Sequence, residues 1–330
     1  MKTRRRFLLS TTALTLVALT MFLQANPAPA AERVVPQLPP PGERVRLLID
    51  TDAACEIDDL YAIALALASQ DRFKIEGFVA AHFGDAGGPR GIEKSVAAVH
   101  ALLEKAGLAG RFPVKRGAPP FQYSTVPVEA DGVDFIIERA LAADEKAPLW
   151  IVSLGACTDV ASAWLKRPEI ARRVVVLWHG RTQFWPEKCW NFNVYNDLKA
   201  VRLLFTSDLP LMLFDTGTDL TCPMAESEQR LQPQGALGKY LHEFRLRNAW
   251  FQSPTKGFFD LGDIAVLLDA SLAKWEIVPA PNVNWDMLYE PGQGRGRIVR
   301  IHSIARDGTF ELFYRKMAVA FPSSPGKLNQ

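Results

Sequence analysis

The chain has 330 residues, of which 48% are hydrophobic, and it carries a formal net charge of +2. Lys2, Arg4, Arg5 and Arg6 supply four positive charges and residues 1–30 contain no acid, so residues 31–330 carry a net charge of −2. This balance argues against a nucleic-acid partner, which needs a basic stripe or patch. The length suits one large domain that mixes helices and strands.

The first thirty residues resemble an export signal. Paired arginines at Arg4 and Arg5 precede an apolar run at 11–23, and a small-residue cleavage pattern ends at Ala30. The run is about thirteen residues long, shorter than the roughly 20 residues of a membrane-spanning helix. We expect residues 1–30 to be a twin-arginine-like signal peptide, and the protein to be periplasmic or secreted and free of the membrane after cleavage. A plain secretory signal or an uncleaved anchor is the alternative.

Residues 31–43 contain four prolines and predict an extended lead-in without a core of its own. One folded domain is expected over 44–330. The cysteines, at positions 55, 157, 189 and 222, lack the short spacing of zinc ligands. We expect mostly free thiols, because a protein that folds before export forms its core while its cysteines are reduced.

From residue 44 onwards, short apolar runs alternate with amphipathic stretches. The apolar runs predict strands at 45–49, 75–81, 149–153, 174–178 and 211–214. Amphipathic spacing predicts helices at 58–69, 92–105, 133–143, 158–165, 198–205, 237–247 and 263–273. Continuously apolar strands are buried on both faces. The expected fold class is therefore α/β, with a mostly parallel central sheet flanked by helices.

The end of the chain has a different pattern. A turn-rich break at 292–296 is followed by two short apolar runs, at 297–304 and 310–314. Two such runs after a turn predict a closing hairpin or a pair of edge strands.

Open parallel sheets bind ligands beyond the carboxyl ends of their strands. In this chain the segments that follow the predicted strands are 50–59, 82–85, 154–157, 179–193 and 215–218. These segments are where we look for chemistry.

The first of these segments is unusually acidic. Asp50 and Asp52 lie on the same side of a strand end, Glu56 follows, and Asp58 with Asp59 opens the next helix. So many carboxylates within ten residues repel one another, and a hard cation removes that repulsion. Several carboxylates together with carbonyl oxygens suit Ca²⁺ better than Mg²⁺. The alternative is that Asp58 and Asp59 only favour the start of a helix.

This segment resembles the nucleoside hydrolase family, in which a strand is followed by Asp-x-Asp, a short loop and an Asp-Asp pair that opens a helix. Asp50-Thr51-Asp52 and Asp58-Asp59 match that pattern, although the loop between them is two residues longer than usual. Three later segments extend the resemblance: a strand and glycine turn at 150–159, an Asn-Phe-Asn segment at 191–193, and Phe259-Asp260.

The resemblance implies a Rossmann-like open sheet, and hydrolysis of a ribonucleoside or related N-riboside to ribose and free base by Ca²⁺-bound water. It also implies a homo-oligomer. The small-molecule substrate would be a nucleoside or another riboside.

The resemblance also implies a role for each residue. Ca²⁺ would be held by Asp52, Asp59, the carbonyl of Leu154 and Asp260, with Asp263 as the competing choice for the last ligand. Asp52 would also be the general base. Asp58 and Asn193 would bind the sugar hydroxyls. Asp50, behind the calcium ligands, would orient them.

Two positions depart from the family. Asn191 stands where many relatives carry Glu, and Phe259 stands where many carry His. The departing base therefore needs another proton donor, and His82, His179 and Glu187 are the candidates. Aromatic side chains could stack on the base, namely Phe184, Trp185 and Trp190. Asp85 is a further candidate contact to the ribose, at the place where relatives carry Asn.

Two other functions compete. A strand that ends in Asp-x-Asp also resembles the haloacid dehalogenase phosphohydrolases, which use Mg²⁺, but Ala54 does not fit their motif and Asp58, Asp59 and Asn193 have no role in that mechanism. Asn191 and Phe259 also suit a non-catalytic ribose- or nucleoside-binding protein that has kept the metal site.

Overall fold

The structure is a computed structural model that describes residues 32–181 and 184–322. The predicted signal peptide at 1–30 lies outside the described residues. Within the described ranges, no helix has the length and apolar character needed to cross a membrane.

The strands and helices follow the predicted alternation. The strands are β1 (Val45–Thr51), β2 (Phe73–Ala80), β3 (Val114–Arg116), β4 (Leu149–Ser153), β5 (Val174–His179), β6 (Leu211–Phe214), β7 (Thr221–Pro223), β8 (Thr255–Gly257), β9 (Ala273–Pro279), β10 (Asn282–Val283), β11 (Tyr289–Glu290) and β12 (Arg297–Ile304). The α-helices are α1 (Asp58–Leu67), α2 (Gly84–Gly87), α3 (Gly91–Lys105), α4 (Asp131–Leu141), α5 (Thr158–Lys166), α6 (Phe192–Asn196), α7 (Leu198–Thr206), α8 (Met224–Glu226), α9 (Gly235–Arg247), α10 (Leu261–Leu268) and α11 (Arg306–Ala320).

One eight-stranded sheet organises the fold, in the order β3-β2-β1-β4-β5-β6-β12-β9. Its neighbouring strands are parallel except for β9, which pairs antiparallel with β12 at one edge. The strands β1, β4 and β5 are buried along most of their length, as their continuous apolar sequences predict. The predicted α/β class with a mostly parallel sheet is confirmed.

Apolar side chains pack into two clusters. One contains side chains of α1, α3, α10 and α11, and the other contains side chains of α4, α5 and α7, so both faces of the sheet are covered. Helix α1 is buried at every position from Asp58 to Leu67. Its two leading acids are therefore held inside the protein.

The prediction for the end of the chain is partly wrong. Residues 297–304 form β12, but β12 lies between β6 and β9 rather than at the edge. Residues 310–314 belong to helix α11, where Phe310, Phe313, Tyr314 and Met317 are buried at helical spacing. The edge strand on this side of the sheet is β9, which begins where the predicted helix at 263–273 ends and was not predicted.

The proline-rich lead-in is tied to the domain through Arg33, which is 3% exposed. Its guanidinium donates to the carbonyls of Leu204, Phe205 and Ser207, near the carboxyl end of α7. These last carbonyls of a helix lack partners within the helix, and a guanidinium satisfies them. The lead-in therefore packs on the domain through this side chain.

Candidate functional site

A cavity of about 520 Å³ opens where the carboxyl ends of β1, β4 and β5 meet. Strand order reverses direction between β1 and β4, and ligands of doubly wound sheets bind at such a switch point. Most of the residues singled out in the sequence line this cavity, namely Asp52, Asp58, Asp59, Leu154, His179, Asn191, Asn193, Phe259 and Asp260.

Three buried carboxylates come together on one side of the cavity. Each of Asp58, Asp59 and Asp260 offers an oxygen within 4.8 Å of the others. Asp58 and Asp59 begin α1 and Asp260 immediately precedes α10, so the amino ends of two packed helices deliver them. Backbone N–H groups at these helix ends favour negative charge.

Two of these acids, Asp58 and Asp59, accept hydrogen bonds, and one oxygen of Asp58 has no partner. Thr51 Oγ1 donates to Asp59 Oδ1, and the backbone N–H of Phe259 donates to Asp58 Oδ2 at 3.2 Å. Asp58 Oδ1 is buried without a hydrogen-bond partner. A buried unpartnered carboxylate oxygen beside a cavity is available to a ligand.

Asp52 lines the same cavity and sits against Gly155. A Cβ atom at position 155 would lie 2.8 Å from Asp52 Cγ, closer than carbon atoms can approach. Glycine in the turn after β4 therefore makes room for the Asp52 carboxylate. The turn that contains Leu154 can then approach the end of β1, where Asp52 lies.

Burial and mutual repulsion disfavour the ionised form of these acids. Burial, together with the charge of Asp58, raises the pKa of Asp52 to about 7. Burial and neighbouring acids raise the pKa values of Asp59 and Asp260 well above their usual range, and the charge of Asp52 contributes to both shifts.

The donor set fits a hard divalent cation. It consists of clustered carboxylates with raised pKa values, the unpartnered oxygen of Asp58, and a backbone carbonyl nearby at Leu154. A cation at this point removes the repulsion among the acids and lets them ionise. Asp52 lies outside the tight trio of Asp58, Asp59 and Asp260.

Asn193 and Asn191 also line the cavity. Asn193 Nδ2 donates to the carbonyls of Leu154, at 2.7 Å, and His179, at 3.0 Å, linking the ends of β4 and β5. Asn191 caps helix α6 by accepting from Val194 N–H at 3.0 Å, while its own Nδ2 is buried without a partner. An unpartnered donor therefore borders the cavity.

Residues 47–309 match the family described as inosine-uridine preferring nucleoside hydrolase. The chain belongs to this family. A relative from Shigella boydii serotype 4 (strain Sb227), whose assigned name is that of a pyrimidine-specific ribonucleoside hydrolase, RihB, is 30% identical over 142 residues. That alignment covers 39% of this chain and 56% of the relative, so the chain spans about half the length of that relative.

Solved structures of nucleoside hydrolases share the fold. A plant nucleoside hydrolase, PpNRh1, superposes with a TM-score of 0.68 at 20% identity over 86% of this chain and 100% of its own. A purine-preferring ribonucleoside hydrolase from Gardnerella vaginalis gives 0.67 at 18% identity, over 84% and 100%. An inosine-uridine preferring enzyme from Bacillus anthracis gives 0.62 at 16%, over 83% and 99%. Membership of the family decides against the phosphohydrolase alternative.

His179 lines the cavity, and its ring nitrogen contacts two acids. Its Nδ1 lies 2.7 Å from Asp263 Oδ2 and 3.3 Å from Asp260 Oδ1. Asp263 is fully buried, and the charge of His179 lowers its pKa against the larger effect of burial, which leaves it at about 6. The competing ligand Asp263 does not line the cavity, and its carboxylate contacts the same ring nitrogen of His179 as Asp260 does.

His82 is part of a buried chain behind the cavity rather than of its lining. Its Nδ1 accepts from the backbone N–H of Gly84 at 3.1 Å, which assigns the proton to Nε2, and Nε2 lies 2.7 Å from Thr158 Oγ1. Thr158 Oγ1 donates to Asp197 Oδ2 at 2.8 Å. The chain connects the loop after β2 to helices α5 and α7.

Asp50 also lies behind the cavity. It is completely buried, and it accepts a hydrogen bond from Ser153 Oγ at 2.9 Å. Burial, and then the charge of the buried Asp159, raises the pKa of Asp50 well above its usual value. Its position between β1 and β4 is compatible with the supporting role predicted from the sequence.

The other predicted contacts lie away from the cavity. Asp85 is exposed on α2, and Trp185 packs edge-on against Tyr289, with ring centroids 4.7 Å apart, on the rim of a second apolar cavity. The remaining candidates are exposed and absent from the lining: Phe184, Glu187 and Trp190.

Sequence reasoning missed a set of cavity residues that follow no motif. Phe83 and Phe192 are close to predicted positions, but Phe244 and Phe251 come from the region of α9, far along the chain. Two cations were also missed, Lys94 and Arg181. Arg181 comes two residues after His179 at the end of β5, and that position was the available signal.

Proposed function

We propose that this nucleoside hydrolase cleaves the N-glycosidic bond of ribonucleosides to give ribose and a free base, and that it uses Ca²⁺. One observation carries the proposal. Residues from four separate segments, Asp52, Asp59, Leu154 and Asp260, line one cavity at the switch point of the sheet. The same cavity holds Asp58 and Asn193.

The proposed calcium ligands are Asp52, Asp59, the Leu154 carbonyl and Asp260. The choice of Ca²⁺ rests on an all-oxygen donor set with several carboxylates, which suits its high coordination number. An ion bound there supplies positive charge that favours ionisation of water at neutral pH.

Asp52 is the proposed general base. A base must be ionised to take a proton, and bound Ca²⁺ would offset the burial that, without a metal, raises the pKa of Asp52 to about 7. It takes the proton of the attacking water as oxygen adds to C1′ of the sugar. Asp50, behind it, is proposed to support this arrangement through Ser153.

Asp58 and Asn193 are proposed to hold the sugar. The free Oδ1 of Asp58 can accept a hydrogen bond from a ribose hydroxyl. The Nδ2 group of Asn193 is engaged by the Leu154 and His179 carbonyls, so its Oδ1 is the atom directed to the ligand side. Asn191 Nδ2 supplies a donor at the same wall. Gripping the hydroxyls on two sides fixes C1′ relative to Asp52.

Two relatives have names that point to different bases, a pyrimidine-specific enzyme and a purine-preferring one. We propose that residues 31–330 act on small ribosides outside the cytoplasm, following the predicted signal peptide.

The direct test is hydrolysis of uridine, inosine, adenosine and p-nitrophenyl riboside by the purified chain, with added Ca²⁺ or with a chelator. We expect release of ribose with Ca²⁺ and loss of turnover on chelation, restored by Ca²⁺. Binding of ribosides without turnover would favour the non-catalytic alternative. Turnover that survives complete chelation would contradict the metal dependence.

A further inference from the structure

One wall of the cavity carries a fixed positive charge. Arg181 packs on the face of Phe259, with its guanidinium carbon 4.0 Å from the ring centroid, and both residues line the cavity. The backbone N–H of Phe259 donates to Asp58 at 3.2 Å. The ring that holds the guanidinium is therefore anchored to the end of the cavity proposed to bind sugar.

A neighbouring acid on this wall is already paired. Glu56 accepts a hydrogen bond from Lys256 Nζ. Lys256 Nζ lies 4.9 Å from the same Phe259 ring. Glu56 is therefore paired with Lys256, and Arg181 is a separate cation in the cavity that the clustered acids also line. A guanidinium stacked on a ring keeps N–H groups at its edge free to bind an anion.

The reaction creates an anion when a base departs without prior protonation. The bond between C1′ and the base nitrogen breaks, and its electron pair goes to the base. A guanidinium stays protonated at all working pH values, so it cannot give up a proton to the base. It can stabilise the developing negative charge, and such charge stabilisation is strong in a water-excluded site.

We propose that Arg181 is a catalytic residue that stabilises the departing base as an anion. The inference rests on the proposed hydrolysis. Water adds to C1′ and gives its proton to Asp52, and the base leaves with the electron pair of the broken bond. The free base then takes a proton from solvent, to which Asp52 returns the one it accepted.

The test compares Arg181→Gln and Arg181→Lys with the wild-type chain in Ca²⁺, using uridine and p-nitrophenyl riboside. Arg111→Gln is the matched control, because Arg111 is exposed and contacts a ring, Phe112, outside the cavity. Thermal unfolding checks that each variant keeps its fold.

Arg181→Gln should lower kcat for uridine by about 100-fold, the loss typical of removing one group that stabilises a developing anion. The same variant should lower kcat for p-nitrophenyl riboside by less than about tenfold, since nitrophenolate is already a stable anion. Arg181→Lys keeps the charge and should retain most of the activity, and Arg111→Gln should equal the wild type.

Equal losses on uridine and p-nitrophenyl riboside would mean that Arg181 only shapes the cavity, and the inference would be wrong. It would also be wrong if Arg181→Gln were as active as the wild type. If Arg181→Gln unfolds, Arg181→Lys decides: similar losses on both substrates overturn the inference, and retained uridine turnover supports it. A wild-type chain that hydrolyses no riboside contradicts the proposed function instead.

Discussion

At the scale of single residues, Asp52 is proposed to serve both as a calcium ligand and as the general base. It lines the cavity among other acids, and burial with the charge of Asp58 raises its pKa to about 7. The same crowding that destabilises an isolated carboxylate makes it a suitable base and a suitable cation ligand. The two roles can be separated by changing charge without changing shape.

We predict that Asp52→Asn lowers kcat by about 10²–10⁴-fold, the range for loss of a general base, and leaves the fold intact because the amide is nearly isosteric. Turnover of uridine with Ca²⁺ measures the first effect and thermal unfolding the second. Asp307→Asn is the control, since the Asp307 side chain is 90% exposed. Undiminished turnover in Asp52→Asn would rule this residue out as the base.

Gly155 gives a second prediction. Alanine there would place Cβ 2.8 Å from Asp52 Cγ and move the carboxylate. We expect Gly155→Ala to lower Ca²⁺ affinity or turnover by about 10–100-fold, as for other changes that misplace a ligand from behind. Calorimetric Ca²⁺ titration and kcat are the measurements. Gly91→Ala is the comparison, because its Cβ would meet only Phe83, at an ordinary 3.4 Å; equal behaviour of the two variants would contradict the steric argument.

At the scale of secondary-structure elements, the hydrogen bonds that run from His82 through Thr158 to Asp197 connect three segments behind the cavity. Thr158 begins α5, and Asp197 caps α7 by accepting from Ala200 N–H at 3.1 Å. Asp197 also accepts from Phe121 N–H at 2.9 Å. The chain therefore sets where the loop after β2 and the Asn193 helix stand relative to each other.

We predict that Thr158→Val destabilises the protein by about 1–3 kcal/mol, because it leaves buried polar groups of His82 and Asp197 short of a partner. Thr309→Val should be neutral or stabilising, because Thr309 is equally buried and its Oγ1 has no partner to lose. Urea unfolding of both variants gives the comparison. Equal losses of unfolding free energy would show that the hydrogen-bonded chain contributes nothing specific.

Elements near the cavity were predictable from sequence where local patterns decide structure. The apolar run before Asp50 and the acids at 58–59 predicted β1, the start of α1 and a cluster of acids at the end of β1. The pattern failed at 310–314, where Phe310, Phe313 and Tyr314 form an apolar run whose helical burial depends on what packs against it. Arg181, Phe244 and Phe251 were missed because only tertiary contacts bring them to the cavity.

At the scale of the whole molecule, the buried acids connect stability to pH. The pKa of Asp52 is raised to about 7, that of Asp159 to about 7 and that of Asp263 to about 6, in each case mainly by burial. Above pH 4 the folded state therefore holds protons that the unfolded chain has released. The free energy of unfolding must fall as pH rises from about 4 through 7.

We predict that the chelated protein loses thermal stability between pH 5 and 8, and that saturating Ca²⁺ restores it most at the upper end, where the acids can ionise around the ion. At about 100 times its dissociation constant, a ligand adds roughly 2.7 kcal/mol. Thermal unfolding with chelator, Ca²⁺ or Mg²⁺ at four pH values is the measurement. A rescue by Ca²⁺ that is no larger at pH 8 than at pH 5 would contradict this account.

The clustered acids come from distant parts of the chain. Asp59 follows the first strand, and Asp260 lies about 200 residues later, yet their carboxylates meet within 4.8 Å. A cation shared by them would act as a reversible cross-link that closes five of the eight strands of the sheet into one loop. In polymer terms, a staple across so long a loop removes more freedom from the unfolded chain than a short one. The ion proposed for catalysis would thus also make the two halves of the chain unfold together.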